Sequence, residues 1–361
     1  MAYTTIDDPS AFFQTVLYTG NGGTQAITNT GNSDLQPNWI WTKVRSEAGS
    51  HRLVDTVRGL AKPVFANGTD AEADETNYSA FDSDGFSLVN ESLNENTRTY
   101  VAWQWKAESA VSGNTLQGGS NSKTYAGSVN TTAGISIIKY VGNGVGGHEI
   151  PHNLSETPVF YIIKRLSDTE HWQVYHAHNT SAPQTDYLQL STNEATVDAN
   201  TRWNDTAPGT NSIVVGSHAS VNTEDDNYVA YIFSQKKGYS KFGIYTGNGQ
   251  ASDGPFIYLG FKPAFLIIKT NSHADDWRLL DNRRSGSGGF NPNNVHLYAH
   301  TNGADATSST NSVPDGVDFL SNGFKIRQAT NGLNRSAGTY IYMAWAENPF
   351  VTSTGITTTA E

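Results

Sequence analysis

His148, His152, His171, His176 and His178 crowd one stretch of the chain, and imidazole nitrogens are common ligands for zinc and copper. His176 and His178 would share a strand face, with His171 close by. No carboxylate recurs at ligand spacing, so surface or loop histidines are the competing reading, and no bound metal is expected. Acid pairs call up two other chemistries. Asp82-Ser83-Asp84-Gly85, Asp225-Asp226 and Asp275-Asp276 have residue types that bind calcium or cleave glycosides. Leu320-Ser321-Asn322-Gly323-Phe324 parallels Asp82-Ser83-Asp84-Gly85-Phe86 but loses both acids, so a turn explains the pattern better. Gly142-Asn143-Gly144-Val145-Gly146-Gly147 invites a dinucleotide-loop reading, and Ser122-Lys123-Thr124 a phosphate-loop one. Neither is followed by the helix such loops need. Cysteine is absent, and so are a Gly-X-Ser-X-Gly elbow and a His-Glu-X-X-His pair. We therefore expect no catalytic residue, no cofactor and no enzymatic activity.

The elements that would position such residues come in three copies. Tyr18-Thr19-Gly20-Asn21-Gly22 recurs as Tyr140-Val141-Gly142-Asn143-Gly144 and as Tyr245-Thr246-Gly247-Asn248-Gly249. A proline follows each opening tyrosine (Pro37, Pro158, Pro263) and begins an apolar run ending on Lys43, Lys164 or Lys269. Eight residues further come His51, Trp172 and Trp277. Each copy closes on a similar strand, Tyr100-Val101-Ala102-Trp103, Tyr228-Val229-Ala230-Tyr231 or Tyr342-Met343-Ala344-Trp345. A period of about 105 to 120 residues suits duplication of a whole small domain. The lysines carry two readings. Each stem packs along a sheet with its ammonium paired to an acid, or Lys164 and Lys269 touch a ligand beside Trp172 and Trp277 as aromatic platforms. Those four are the candidate binding residues.

Turn residues punctuate the chain every eight to twelve positions between runs rich in Tyr, Val, Ile, Phe and Trp, which predicts an all-β protein of antiparallel sandwiches. The continuous apolar run after each proline predicts a strand covered on both faces. We expect three tandem jelly-roll sandwiches at 16–107, 134–237 and 238–350. A Ser/Gly/Asn-rich linker at 108–133 would follow the first, with an N-terminal arm at 1–15 and a tail at 351–361. Trp103, Tyr231 and Trp345 should occupy equivalent core places. The net charge of −11, from 23 basic and 34 acidic residues, argues against nucleic acid as a partner. No apolar stretch approaches the roughly 20 residues that span a bilayer, and the acidic start does not read as a secretory signal.

Met1-Ala2-Tyr3-Thr4-Thr5-Ile6-Asp7-Asp8-Pro9-Ser10, the Tyr-Thr-Gly-Asn-Gly loops, Asp253-Gly254-Pro255-Phe256-Ile257-Tyr258-Leu259-Gly260-Phe261-Lys262-Pro263-Ala264-Phe265 and Ala346-Glu347-Asn348-Pro349-Phe350-Val351 resemble a family of marine bacteriophage proteins. The resemblance covers nearly the whole chain. It implies a repeated, concanavalin-like domain and a virion component, structural or tail-fibre-like, made in the host cytoplasm. The partners implied are other virion proteins, host-surface glycan and copies of the same chain. A capsid or tail decoration with a purely structural role is the alternative.

Overall fold

Both faces of the lysine-ending run are covered, and that fact organises the architecture. In the computed structural model, which describes residues 3–89, 91–116, 121–284, 291–307 and 316–358, strands take 44% of the chain and helix 5%. The protein is all-β. Each copy builds one large antiparallel sheet in the spatial order opening, closing, lysine, fourth and fifth strand. The opening strands are Phe13–Thr19, Ile135–Val141 and Ser240–Thr246. The closing strands are Thr99–Trp105, Asn227–Phe233 and Thr339–Pro349. Between them in sequence lie the lysine strands Trp39–Val44, Phe160–Arg165 and Phe261–Thr270. The fourth strands are Arg52–Asp55, Gln173–His176 and Arg278–Asp281, and the fifth are Gly59–Phe65, Asp186–Gln189 and Val295–Tyr298.

A smaller sheet packs on one face of each large one: Gln25–Thr28 with Gly85–Leu88 and Tyr78–Asp82, His148–Pro151 with Ser212–Val215, and Phe256–Tyr258 with Gly323–Ile326 and Val317–Leu320. An apolar cluster fills each of these three sandwiches. The opposite faces of the three large sheets meet in a fourth cluster shared by all copies. Side-chain alternation divides the residues between them. Trp39 and Trp41, Phe160 and Ile162, and Phe265 and Ile267 point to the shared core, while Ile40, Ile163 and Leu266 point to the local ones. Rings stack across every boundary: Trp39 on Tyr231 at 4.2 Å, Trp103 on Phe265 at 4.9 Å, and Phe160 on Phe242 at 5.8 Å. Only ≈ 10 Å³ stays open at the centre, lined by apolar side chains, so the core is dry.

Register corrects one sequence expectation. Tyr18 pairs with Tyr100, Tyr140 with Tyr228, and Tyr245 with Tyr340. The third closing strand therefore aligns from Tyr340, two residues earlier than its Tyr-X-Ala-Trp pattern suggests. Met343 stands where Trp103 and Tyr231 stand, and Trp345 matches Trp105 and Phe233. All are buried, but the equivalence of Trp345 with Trp103 does not hold.

Residues 108–133 supply strands rather than a linker. Thr124–Asn130 pairs with the opening strand of copy two, and Ser109–Asn114 pairs outside it, lengthening that sheet to eight strands. The composition misleads because Ser109–Asn114 is exposed on both faces while Val129 is packed in the local core. The terminal segments are likewise docked. Tyr3 Oη donates to Gly260 O, Thr4 Oγ1 to Lys237 O, and Ser353 N to Asp7 Oδ1.

Candidate functional site

The three Gly-Asn-Gly loops are a structural device. In each, a loop asparagine exchanges hydrogen bonds with a second asparagine that ends a short helical turn: Asn21 with Asn94, Asn143 with Asn222, Asn248 with Asn334. The opening tyrosine donates to the carbonyl just before that partner, at Leu93, Val221 or Leu333. A Cβ at Gly20, Gly142 or Gly247 would lie 2.1–2.3 Å from a carbonyl oxygen of the same turn, so only glycine fits. The loops thus cradle their own chain and not a phosphate.

His51, Trp172 and Trp277 are the strongest clue to what the repeated residues do. Trp172 Nε1 donates to Phe65 O at 2.8 Å, and Trp277 Nε1 to Gln189 O at 2.9 Å. Trp41 Nε1 donates to His51 Nδ1, which fixes the tautomer and leaves His51 Nε2 to donate to Tyr298 O at 3.2 Å. Phe65, Gln189 and Tyr298 sit at matching places in the fifth strands. Copy one therefore docks on copy three, three on two and two on one: a closed ring with approximate threefold symmetry.

The lysines follow the same ring. Lys164 Nζ donates to Thr69 O in copy one, and Lys269 Nζ to Asn193 O in copy two. Each also donates to the next residue's carbonyl, as Lys43 does to Val44 O. The matching backbone bonds are Gly49 N to Asn302 O, Glu170 N to Thr69 O and Asp275 N to Asn193 O. Trp172, Trp277, Lys164 and Lys269 are all fully buried. The ligand-contact reading of these four fails, because the atoms that would touch a ligand already bind a neighbouring copy. Sequence could not separate the readings, since a tryptophan that docks a repeat and one that docks a sugar have the same spacing.

A second layer of each seam was not foreseen. Asp55 Oδ2 accepts from Arg58 Nε at 2.7 Å and from Tyr231 Oη at 2.7 Å. Asp281 Oδ2 accepts from Arg284 Nε at 2.6 Å and from Trp103 Nε1 at 3.0 Å. Burial opposes the Arg284 charge, but Asp281 and Asp305 more than offset it and raise its pKa. The third seam has no such pair. There His176 takes the aspartate's place, Met343 the aromatic's, and His176 Nε2 lies 3.3 Å from Tyr342 O.

The other chemical candidates scatter. His148 bonds Asn222, His152 bonds Gly209 O and His171 bonds Ser191. Among the described residues no group of three or more such side chains converges on a metal position. Asp82 and Asp84 hold their turn through Ser87 Oγ and Leu35 N. Asp225 pairs with Lys123, Asp226 with Arg165, Asp275 with Arg278 and Asp276 with His300. The described residues include an open groove of ≈ 500 Å³ beside Ala110 to Ser112 and one of ≈ 600 Å³ between His178 and Ile244, both lined by small and polar groups. No helix among the described residues is long and apolar enough to cross a membrane.

Comparison with known proteins adds one decisive match. A family described as a domain of unknown function, DUF7483, matches residues 8–349. The chain belongs to the DUF7483 family. The matched unit takes in all three copies, in keeping with the shared core. No curated protein and no solved structure matches.

Seam burial predicts the pH dependence of stability. Burial holds His51 well below the ordinary histidine value, aided by Lys43, and brings His176 down to about 3. His148 and His152 are lowered by burial as well. These rings stay neutral when folded, whereas the unfolded chain binds protons near pH 6.5. Their contribution is complete above that pH and lost as pH falls towards the folded values. Burial brings Lys43, Lys164 and Lys269 down to about 8. The unfolded chain then holds more protons from about pH 8 to 10.5, so stability should rise across that range. Buried Tyr18, Tyr140 and Tyr245, raised by desolvation, oppose the rise above about pH 10. Denaturant midpoints should therefore fall below pH 6.5 and climb from pH 8 to about 10. A flat profile would mean that water reaches the seams.

Proposed function

We propose that this DUF7483 protein is a non-enzymatic phage virion surface protein, tail-fibre-like, whose rigid body presents surface to host glycan. In this reading each copy is a jelly-roll sandwich of concanavalin-like type. The carrying observation is the ring of seams. The repeated residues with chemical potential are spent on the fold: His51, Trp172, Trp277, Lys164 and Lys269 fix one copy against the next, and the loop asparagines brace their own copy. Weak contacts repeated over many copies on a particle can sum to firm attachment. The resemblance to marine phage proteins points the same way.

Purified protein should compete with phage for host cells and lower adsorption in proportion to its concentration. Absence of competition, with the protein located on the capsid shell, would sink the adhesin reading. The second reading is a capsid or tail decoration or connector with a purely structural role. A homo-oligomer within the particle suits either role.

A further inference from the structure

Comparison of the three copies separates residues the fold requires from residues it does not. The two aromatic side chains more than a third exposed among the described residues are Phe256, at 46%, and Tyr258, at 48%. They alternate on the outer face of one strand in the small sheet of copy three, with Ile257 buried between them. At the matching places copy one has Ala26 and Thr28, and copy two has Glu149 and Pro151. Two copies therefore build the same sheet without an aromatic there. Exposed rings are not needed for packing, and they leave apolar area in water at a cost of about 25 cal/mol per Å².

Cations cluster at the same place. Lys241 Nζ lies 5.4 Å from the centre of the Tyr258 ring and donates to Tyr258 O at 2.6 Å. Lys237 Nζ lies 4.5 Å above the Tyr3 ring, and Tyr3 Oη meets Tyr258 Oη at 3.0 Å. The register places Gln14 and Ser136 where Lys241 stands, so this charge too is special to copy three. Among the described residues neither Lys237 nor Lys241 has a carboxylate at ion-pair distance, in a chain of net charge −11. Lys325, opposite Phe256 in the ladder, is already paired with Asp253. Three aromatic rings, two phenol hydroxyls and two uncompensated ammonium groups thus share one face.

We propose that Tyr3, Phe256 and Tyr258 with Lys237 and Lys241 form a binding face for an anionic saccharide. The apolar face of a pyranose would lie on Phe256 and Tyr258, and a carboxylate or sulfate would meet the two ammonium groups. Elsewhere the acidic surface repels a polyanion, which confines binding to this face and makes it salt-sensitive. The proposal rests on the adhesin reading but is tested apart from it.

The full chain is titrated with an alginate tetrasaccharide, a polyuronate, and with neutral cellotetraose, followed by saturation-transfer NMR and calorimetry. Alginate should bind with a Kd of about 1 mM, weakening with added salt, and cellotetraose at least tenfold more weakly. Phe256→Ala with Tyr258→Ala should raise the alginate Kd at least tenfold. Lys237→Gln with Lys241→Gln should do the same while leaving cellotetraose unchanged. The melting temperature of both variants should stay near wild type, because the exchanged groups are exposed or their places are filled differently in the other copies. Any of three results overturns the proposal: no alginate binding, wild-type binding by the aromatic variant, or equal binding of the two sugars. Self-association that vanishes in the aromatic variant, without sugar binding, would also overturn it and make the face a protein interface. Host-cell binding retained by the aromatic variant would retire this face and leave the adhesin reading intact.

Discussion

Truncating Trp103 to alanine is expected to lower stability by on the order of 3–5 kcal/mol, seen as a fall in the denaturant midpoint. Three losses combine at this side chain. Its ring stacks on Phe265 of copy three at 4.9 Å and meets Trp41 edge-on at 5.8 Å, so truncation opens a cavity in the shared core. Its Nε1 donates to Asp281 Oδ2 at 3.0 Å, so a buried carboxylate loses a donor. Its face lies 5.4 Å from the Arg284 guanidinium, which loses a cation–π contact. Trp345→Ala should cost a similar amount, because its ring touches Phe13, Trp105, Phe233, Phe242 and Phe265. Both variants weaken contacts between copies, but the rest of the shared core remains, so the three should still unfold together. An unchanged midpoint for Trp103→Ala would mean that the shared core is not formed in solution.

The shared core also explains what could and could not be read from sequence. An all-β chain in three copies was legible, because Tyr-X-Gly-Asn-Gly, the proline and the lysine are local signals at fixed spacing. The double burial of Trp39–Val44 was legible as well, since a continuous apolar run has no polar face to show to water. What covers the second face was not. Nothing local distinguishes a tryptophan packed on its own small sheet from one packed on another copy far along the chain, as Trp39 is on Tyr231. A lone copy would expose Trp39, Trp41, Trp103 and Trp105, which the shared core covers, and the segment expected as a linker at 108–133 carries strands.

The third closing strand shows a subtler failure. Tyr342-Met343-Ala344-Trp345 imitates Tyr100-Val101-Ala102-Trp103 because alternation repeats every two residues, and a two-residue slip keeps every side chain on its face. The true register shows at Tyr340, which pairs with Tyr245, stacks on its ring and donates through Oη to Asn331 O. Asn94, Asn222 and Asn334 escaped notice for another reason. Each lies at a different distance from its loop partner, because the copies differ in length between them.

Arg284→Ala should be as damaging as any core truncation, at about 3–5 kcal/mol, because it strands a buried charge. Asp281 and Arg284 are both fully buried, and Arg284 reaches Asp281, Asp305 and Leu279 O together. With the guanidinium gone, Asp281 keeps, among the described residues, Trp103 Nε1 and the backbone N–H groups of Arg283 and Arg284. Yet the fold does not require the pair. At the third seam His176 accepts from His178 N through Nδ1 and stands at the place of Asp281, with Met343 at the place of Trp103, so a neutral acceptor and an unbranched apolar side chain fill those two places. Asp281→Asn combined with Arg284→Met imitates that seam: asparagine keeps an oxygen for the backbone N–H groups and carries no charge. The double variant should therefore be more stable than Arg284→Ala, despite bearing one more substitution. Denaturant midpoints of wild type, single and double variants decide the matter. A double variant as unstable as the single, or less stable, would show that the ion pair itself holds copy one to copy three.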